Sequence, residues 1–190
     1  MDDYFSAYLE AHRKTLNSIP VDQLTTIVRL FRQTLDAGKN IFVFGNGGSA
    51  ANASHFVTDL GKGSSDKTYR RFQCVSLNDN TSWMTAIAND YSYDDVFLRQ
   101  LINLANPGDL IFTMSVSGNS PNIIKAVEWA RKNSIYTVAL VGGNKGKLAE
   151  ISDSVVIIHD THYGRVEDAH MGICHMIAYA FMEIPDLQTK

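Results

Sequence analysis

The chain has 190 residues, 45% of them hydrophobic, and a formal net charge of -3, values that fit one globular domain with a proper core. A pI near 6.0 with scattered basic residues leaves no electrostatic footprint for nucleic acid, and no apolar run approaches a membrane span, so neither is an expected partner. Two cysteines, Cys74 and Cys174, exclude a disulfide framework and a CxxC metal motif; with an acidic amino terminus unlike a signal peptide, they point to a reducing cytoplasm.

Residues 3–17 carry Phe5, Tyr8, Leu9, His12 and Leu16 at helical spacing, an aromatic-rich helix that packs on its own domain or docks on a second subunit. Residues 21–37 form a second helix, with Leu24, Ile27, Val28, Phe31 and Leu35 on one face and Gly38 as its stop. From residue 40 onward, continuous apolar runs at Asn40–Phe44, Phe72–Leu77, Asp109–Met114, Tyr136–Val141 and Ser154–Ile158 read as strands buried on both faces. Helices are expected between them near 50–60, 80–104, 121–133 and 146–152, with a last one near 165–183. The alternation predicts a three-layer α/β sandwich with a five-stranded parallel sheet of order 2-1-3-4-5 over residues 39–190. A helical arm, residues 1–38, precedes it. The Lys67, Arg70 and Arg71 cluster reads as a solvated loop.

The first strand runs into Gly45-Asn46-Gly47-Gly48-Ser49 and then a helix. Such a turn leaves backbone N–H groups free at a helix N-terminus, where the dipole favours a phosphate, and Ser49 is the expected N-cap. The third strand runs into Ser115-Val116-Ser117-Gly118-Asn119-Ser120-Pro121, with Ser120 as N-cap and proline at the first helical position. In the order 2-1-3-4-5 these two strands are neighbours at the switch point, so both loops face one crevice. The glycine register is wrong for a dinucleotide fingerprint and Gly-Lys-Ser/Thr is absent. With no lysine in either loop, a phosphomonoester held by neutral donors fits better than a triphosphate.

His55 and Asp59 lie four residues apart on the helix that begins at the first loop, and Glu167, His170 and His175 lie on the last helix. Histidines and carboxylates beside a sugar phosphate offer proton transfer or the ligands of a zinc-type ion. His170 points to a different face from His175. Glu167 and His175 are separated by ~12 Å of helical rise and meet at one ion only if both side chains lean together. Asn89-Asp90 reads as a helix stop, the alternative being polar groups turned toward substrate hydroxyls.

With those residues in place the chain resembles the SIS-domain (sugar isomerase) family, and within it the phosphoheptose isomerases. The likeness is carried by Gly45-Asn46-Gly47-Gly48-Ser49-Ala50 with His55-Phe56, and by Ser117-Gly118-Asn119-Ser120. It implies a flavodoxin-like fold and an aldose–ketose isomerase acting on sedoheptulose 7-phosphate, or a close phosphosugar, for surface-glycan heptose synthesis. It also implies a homotetramer with sites at subunit interfaces, and one zinc ion per subunit. The residues it implies for substrate are Asn46, Gly47, Gly48, Ser49, Asn89, Asp90, Ser115, Val116, Ser117, Ser120 and Glu167. Asp59 and His175 would transfer protons, and His55, Asp59, Glu167 and His175 would hold the metal. Asp59 stands where the family has Glu, Glu167 where it has Gln, Val116 where a hydroxyl residue is frequent, and Gly164 where a polar residue is frequent. Two other readings belong to the same resemblance: an isomerase for a different phosphosugar, and a non-enzymatic regulatory relative that binds the replication initiator. The latter relatives lose the acid and the last-helix histidine, which this chain retains at Asp59 and His175.

Overall fold

A computed structural model describes residues 1–190. Two helices open the chain, α1 (Asp2–Asn17) and α2 (Val21–Asp36). Strand β1 (Asn40–Gly45) leads into α3 (Gly48–Thr58), which widens into a π-type turn over Asp59–Ser64. Then follow β2 (Gln73–Ser76), α4 (Thr81–Asp90), a 3-10 turn (Tyr93–Asp95) and α5 (Leu98–Leu104). Strand β3 (Leu110–Ser115), α6 (Pro121–Lys132), β4 (Tyr136–Val141), α7 (Leu148–Ile151) and β5 (Ser154–Ile157) complete the sheet. Helices α8 (Tyr163–Glu183) and α9 (Pro185–Gln188) end the chain.

The five strands are all parallel, in the order β2-β1-β3-β4-β5, as the alternation of elements predicts. Period-two alternation divides each central strand between two apolar layers. Ile41 and Val43 of β1, Phe112 and Met114 of β3, and Val138 and Leu140 of β4 meet α2, α3 and α8. Phe42, Phe44, Ile111, Ala139 and Val141 meet α4, α5, α6 and α7 on the other face. Phe31, Phe56 and Phe112 pack with ring centroids 5.1–5.8 Å apart and fix α2 and α3 on the sheet. Each such buried ring contributes about 1.5–3 kcal/mol.

Three expected boundaries shift. The helix expected over 80–104 is two helices, because Ser92 is extended and its hydroxyl accepts from the Asp94 N–H, a local bond that competes with the helical ladder. Helix α3 starts at Gly48, not at residue 50, and its N-cap is Gly47 at φ 57°, so Ser49 lies buried inside the first turn. The same helix does not stop near residue 60 as expected. Its wide turn runs on to Ser64, whose hydroxyl donates to the Ala178 carbonyl and seats the turn on α8.

Helix α1 buries only Thr15 and leaves Tyr4, Phe5 and Leu9 exposed. It is moored through Asp160, which accepts from Thr15 Oγ1 at 2.5 Å and from Arg165 Nε at 2.6 Å. Arg165 first, then these other donors, hold the Asp160 carboxyl well below the usual carboxylate range. Arg71 pairs with Asp66 inside the loop, while Arg70 donates to the Asp36 carbonyl and ties the loop to the end of α2. No helix is long and apolar enough to cross a membrane.

Candidate active site

The two loops emerge from adjacent strands, β1 and β3, and meet at the carboxyl edge of the sheet. Gly47 supplies a left-handed turn with no neighbour within 4 Å of where a Cβ would stand, so backbone conformation alone demands glycine there. As an N-cap without a side chain it leaves the Gly48 N–H free for an anion, while the Ser49 and Ala50 N–H groups bond the Asn46 and Gly47 carbonyls.

Across the crevice, Ser115 Oγ accepts from the Gly118 N–H at 3.1 Å and Ser117 Oγ from the Asn119 N–H at 3.2 Å. A hydroxyl that accepts keeps its own proton to donate, so both are aligned donors for an oxyanion. Ser120 is the N-cap of α6, with Pro121 at the first helical position, as the sequence predicts. Its hydroxyl makes no capping bond and is free for a ligand. The Val116 side chain packs in the core, and its carbonyl accepts from the Gly142 N–H.

Of the residues that join the loops, sequence reasoning named Asn46 as a substrate residue and missed Asn122, Asn78 and Tyr93. Asn46 Nδ2 donates to Asn122 Oδ1 at 2.9 Å, and Asn122 Nδ2 donates back to Asn46 Oδ1 at 3.0 Å. Asn46 Oδ1 also accepts from the Tyr93 hydroxyl at 3.2 Å. Asn78 replaces a missing strand neighbour by bonding both the N–H and the carbonyl of Gly45. Asn89 and Asp90 lie in the exposed last turn of α4 and bond each other at 2.9 Å; Tyr93, three residues on, ties this end of α4 to the crevice. The only signal for Asn122 was its place next to Pro121 at a helix start.

The second cluster lies further along α3. Asp59 Oδ2 is 3.6 Å from His55 Nε2 and 3.7 Å from His175 Nε2. These separations are too long for hydrogen bonds, and Asp59 Oδ2 is buried without a partner. Zinc-ligand bonds of about 2.1 Å in tetrahedral geometry put ligand atoms about 3.4 Å apart, so the three groups fit one ion. The two imidazoles meet edge to face at 5.1 Å, and His175 opens onto a groove of about 390 Å³ lined by Met176, Tyr179 and Glu183.

Glu167 is not brought to this cluster. Its carboxyl group lies over Gly48, where a Cβ would collide with it, and Asn52 Nδ2 bonds its carbonyl at 2.9 Å. Gly48 precedes His55 by two helical turns, about 10 Å of rise, which is why one ion does not reach both. Burial first, and the charge of Asp168 second, raise the Glu167 carboxyl above its ordinary value. His170, as its spacing predicts, points elsewhere: it is fully buried in the core.

The thiols take no part in this chemistry. Cys174 is buried against Met114, and burial pushes Cys74 up to about 11. The largest hollow, about 760 Å³, lies at the opposite edge of the sheet around Glu128, Lys132 and Tyr136. Its Asp109 and Asp153 carboxylates are spent on the backbone N–H groups of Asn40 and Thr137.

A family model described as SIS domain matches residues 3–142. The probable phosphoheptose isomerase of Thermoplasma volcanium is 40% identical over 172 residues, which span 90% of this chain and 87% of that protein. A phosphoheptose isomerase of Helicobacter pylori (strain P12) is 37% identical over 173 residues, 91% of this chain and 89% of that one. Among solved structures, the phosphoheptose isomerase GmhA of Neisseria gonorrhoeae superimposes with a TM-score of 0.89 at 28% identity, covering 96% of this chain and 99% of that one.

Proposed function

We propose a function from the premise that this chain belongs to the SIS domain family and, within it, to the phosphoheptose isomerases. It is a phosphosugar isomerase that interconverts sedoheptulose 7-phosphate and the corresponding aldose, D-glycero-D-manno-heptose 7-phosphate. All 190 residues act as one SIS domain, with residues 1–38 as its arm.

The observation that carries this reading is the pairing of two centres on one helix. The hydroxyl-lined crevice lies at the start of α3, and His55, Asp59 and His175 converge about 10 Å along it. A phosphorylated sugar chain of several carbons bridges that span, and a triose phosphate does not. Ser115, Ser117 and Ser120, with the N–H groups of Gly47 and Gly48, hold the phosphate and Ser49 lines its floor. Asn89 and Asp90 face the sugar hydroxyls from the end of α4, and the backbone of Val116 completes the loop.

The bound phosphate fixes the far end of the sugar at the acid and imidazoles. One of Asp59 and His175 removes the proton on the carbon beside the carbonyl. The electron pair moves toward the carbonyl oxygen, which takes a proton from the other group, giving an enediol. The other group removes the hydroxyl proton on the neighbouring carbon as the enediol is reprotonated on the former carbonyl carbon. His55, Asp59 and His175 would hold zinc, which when bound polarises the carbonyl and stabilises negative charge on its oxygen. Glu167 sits at the loop instead of among the metal ligands, on the substrate side.

Exposed Tyr4, Phe5 and Leu9 on α1 support assembly, which we take as the homotetramer. The two free thiols suit a reducing cytoplasm. The test is incubation of the purified protein with sedoheptulose 7-phosphate, with and without added zinc, while the aldose is detected. Absence of aldose in both arms would overturn the reading.

A further inference from the structure

We infer that Asn122 is a positioning residue for phosphate binding, and that the side chain of Asn46 acts through it to hold the two loops together. The proposal rests on the function proposed above and deepens it by naming what makes one anion site out of two loops.

The two amides form a closed ring of two hydrogen bonds between loops 76 positions apart, at 2.9 and 3.0 Å. Its orientation is determined by a third bond: Asn122 Oδ1 also accepts from the Ile123 N–H at 3.0 Å. Flipping Asn122 would set two N–H donors face to face there, so Nδ2 must point at Asn46. Asn46 Oδ1 is then fully used, accepting from both Asn122 and the Tyr93 hydroxyl. Asn122 itself is buried, so water does not compete for the ring. With its oxygen doubly used and one of its two Nδ2 hydrogens committed, the Asn46 side chain is fixed by the clasp.

The consequence is geometric. Asn46 immediately precedes Gly47, the N-cap of α3, and Asn122 stands in the first turn of α6 behind Ser120. The ring therefore holds two helix N-termini at one separation, so that their donors converge on a single phosphate. Tyr93 extends the clasp to the segment after Asn89 and Asp90, so the sugar-facing side moves with the phosphate-facing side.

A double-mutant cycle tests this with Asn46→Ala, Asn122→Ala and the pair, scored by KM, kcat and calorimetric affinity for inorganic phosphate. If the residues act only through the clasp, each single variant raises KM and the phosphate Kd about tenfold, the double variant is no worse than either, and kcat falls less than KM rises. Multiplying effects, or a loss of kcat with an unchanged phosphate Kd, would overturn the inference. Tyr93→Phe removes one surface hydroxyl without touching the core; it should weaken phosphate about threefold, and no change there also counts against the clasp. Inorganic phosphate separates the two levels. If no sugar is isomerised yet the cycle on phosphate Kd is non-additive, the function proposed above fails while the clasp stands.

Discussion

His170 offers a stability experiment whose size follows from the structure. The imidazole is fully buried on α8 with neither ring nitrogen in a well-formed hydrogen bond, and burial lowers its pKa to about 4, the nearby Val141 carbonyl offsetting only part of that shift. Folded His170 therefore binds a proton less readily than the unfolded chain, whose histidine titrates near 6.5. The stability this neutral ring contributes is fully present above pH 6.5 and is lost as pH falls toward 4. The loss amounts to roughly 2 kcal/mol by pH 5 and roughly 3 kcal/mol by pH 4, at 1.36 kcal/mol per pKa unit. For a chain of this size that corresponds to a fall in Tm of about 6–12 °C. His170→Leu keeps a similar volume, removes the titration and removes two unpaired polar atoms. Urea unfolding of both proteins between pH 7.5 and 4 isolates the effect by difference. The variant should match or exceed the wild type at pH 7.5 and lead it by a growing margin on acidification. Parallel pH profiles for the two proteins would refute the reasoning.

Asp59→Asn removes the carboxylate between the two imidazoles with little change of shape; kcat should fall about 10²–10⁴-fold, measured by aldose formation, and zinc bound per chain should drop. Gly47→Ala forces an alanine to φ 57°, at a cost of about 1–2 kcal/mol, and should raise KM more than it lowers kcat. An unchanged KM would mean that the first loop does not grip the phosphate. Asp160→Asn removes the charge that holds Thr15 and Arg165 and leaves only a neutral amide oxygen to accept from the guanidinium, so the mooring of α1 weakens. Limited proteolysis should then release α1 first, since beside that contact it is held only by Tyr8 against His162, by His12 near Asp168 and by a shallow apolar seam. The wild-type Asp160 carboxyl is held below its ordinary 3.8, so its contribution is complete above that pH and is lost only under stronger acid.

The strand order, the two loops and their common crevice were legible because they rest on local rules. Runs such as Leu110–Met114 announce a doubly buried strand, Pro121 a helix start, and Gly47 a turn that no side chain tolerates. The comparison with known proteins agrees with that reading over nearly the whole chain. The His55–Asp59 pair was legible too, since four residues on a helix always share a face. What spacing alone did not reveal was the break at Ser92, where a hydroxyl competes with the helix, and the early start of α3, where glycine serves as cap.

The sequence by itself determined the parallel sheet and the glycine and serine chemistry at its edge, because hydrophobic period and backbone freedom act over a few residues. Only the tertiary structure decided that His175 meets Asp59, that Glu167 stays two turns away over Gly48, and that Asn46 closes a ring with Asn122. Those encounters depend on how α8 lies along α3 and how far apart two loops are held, distances that arise from packing between segments far apart in the chain.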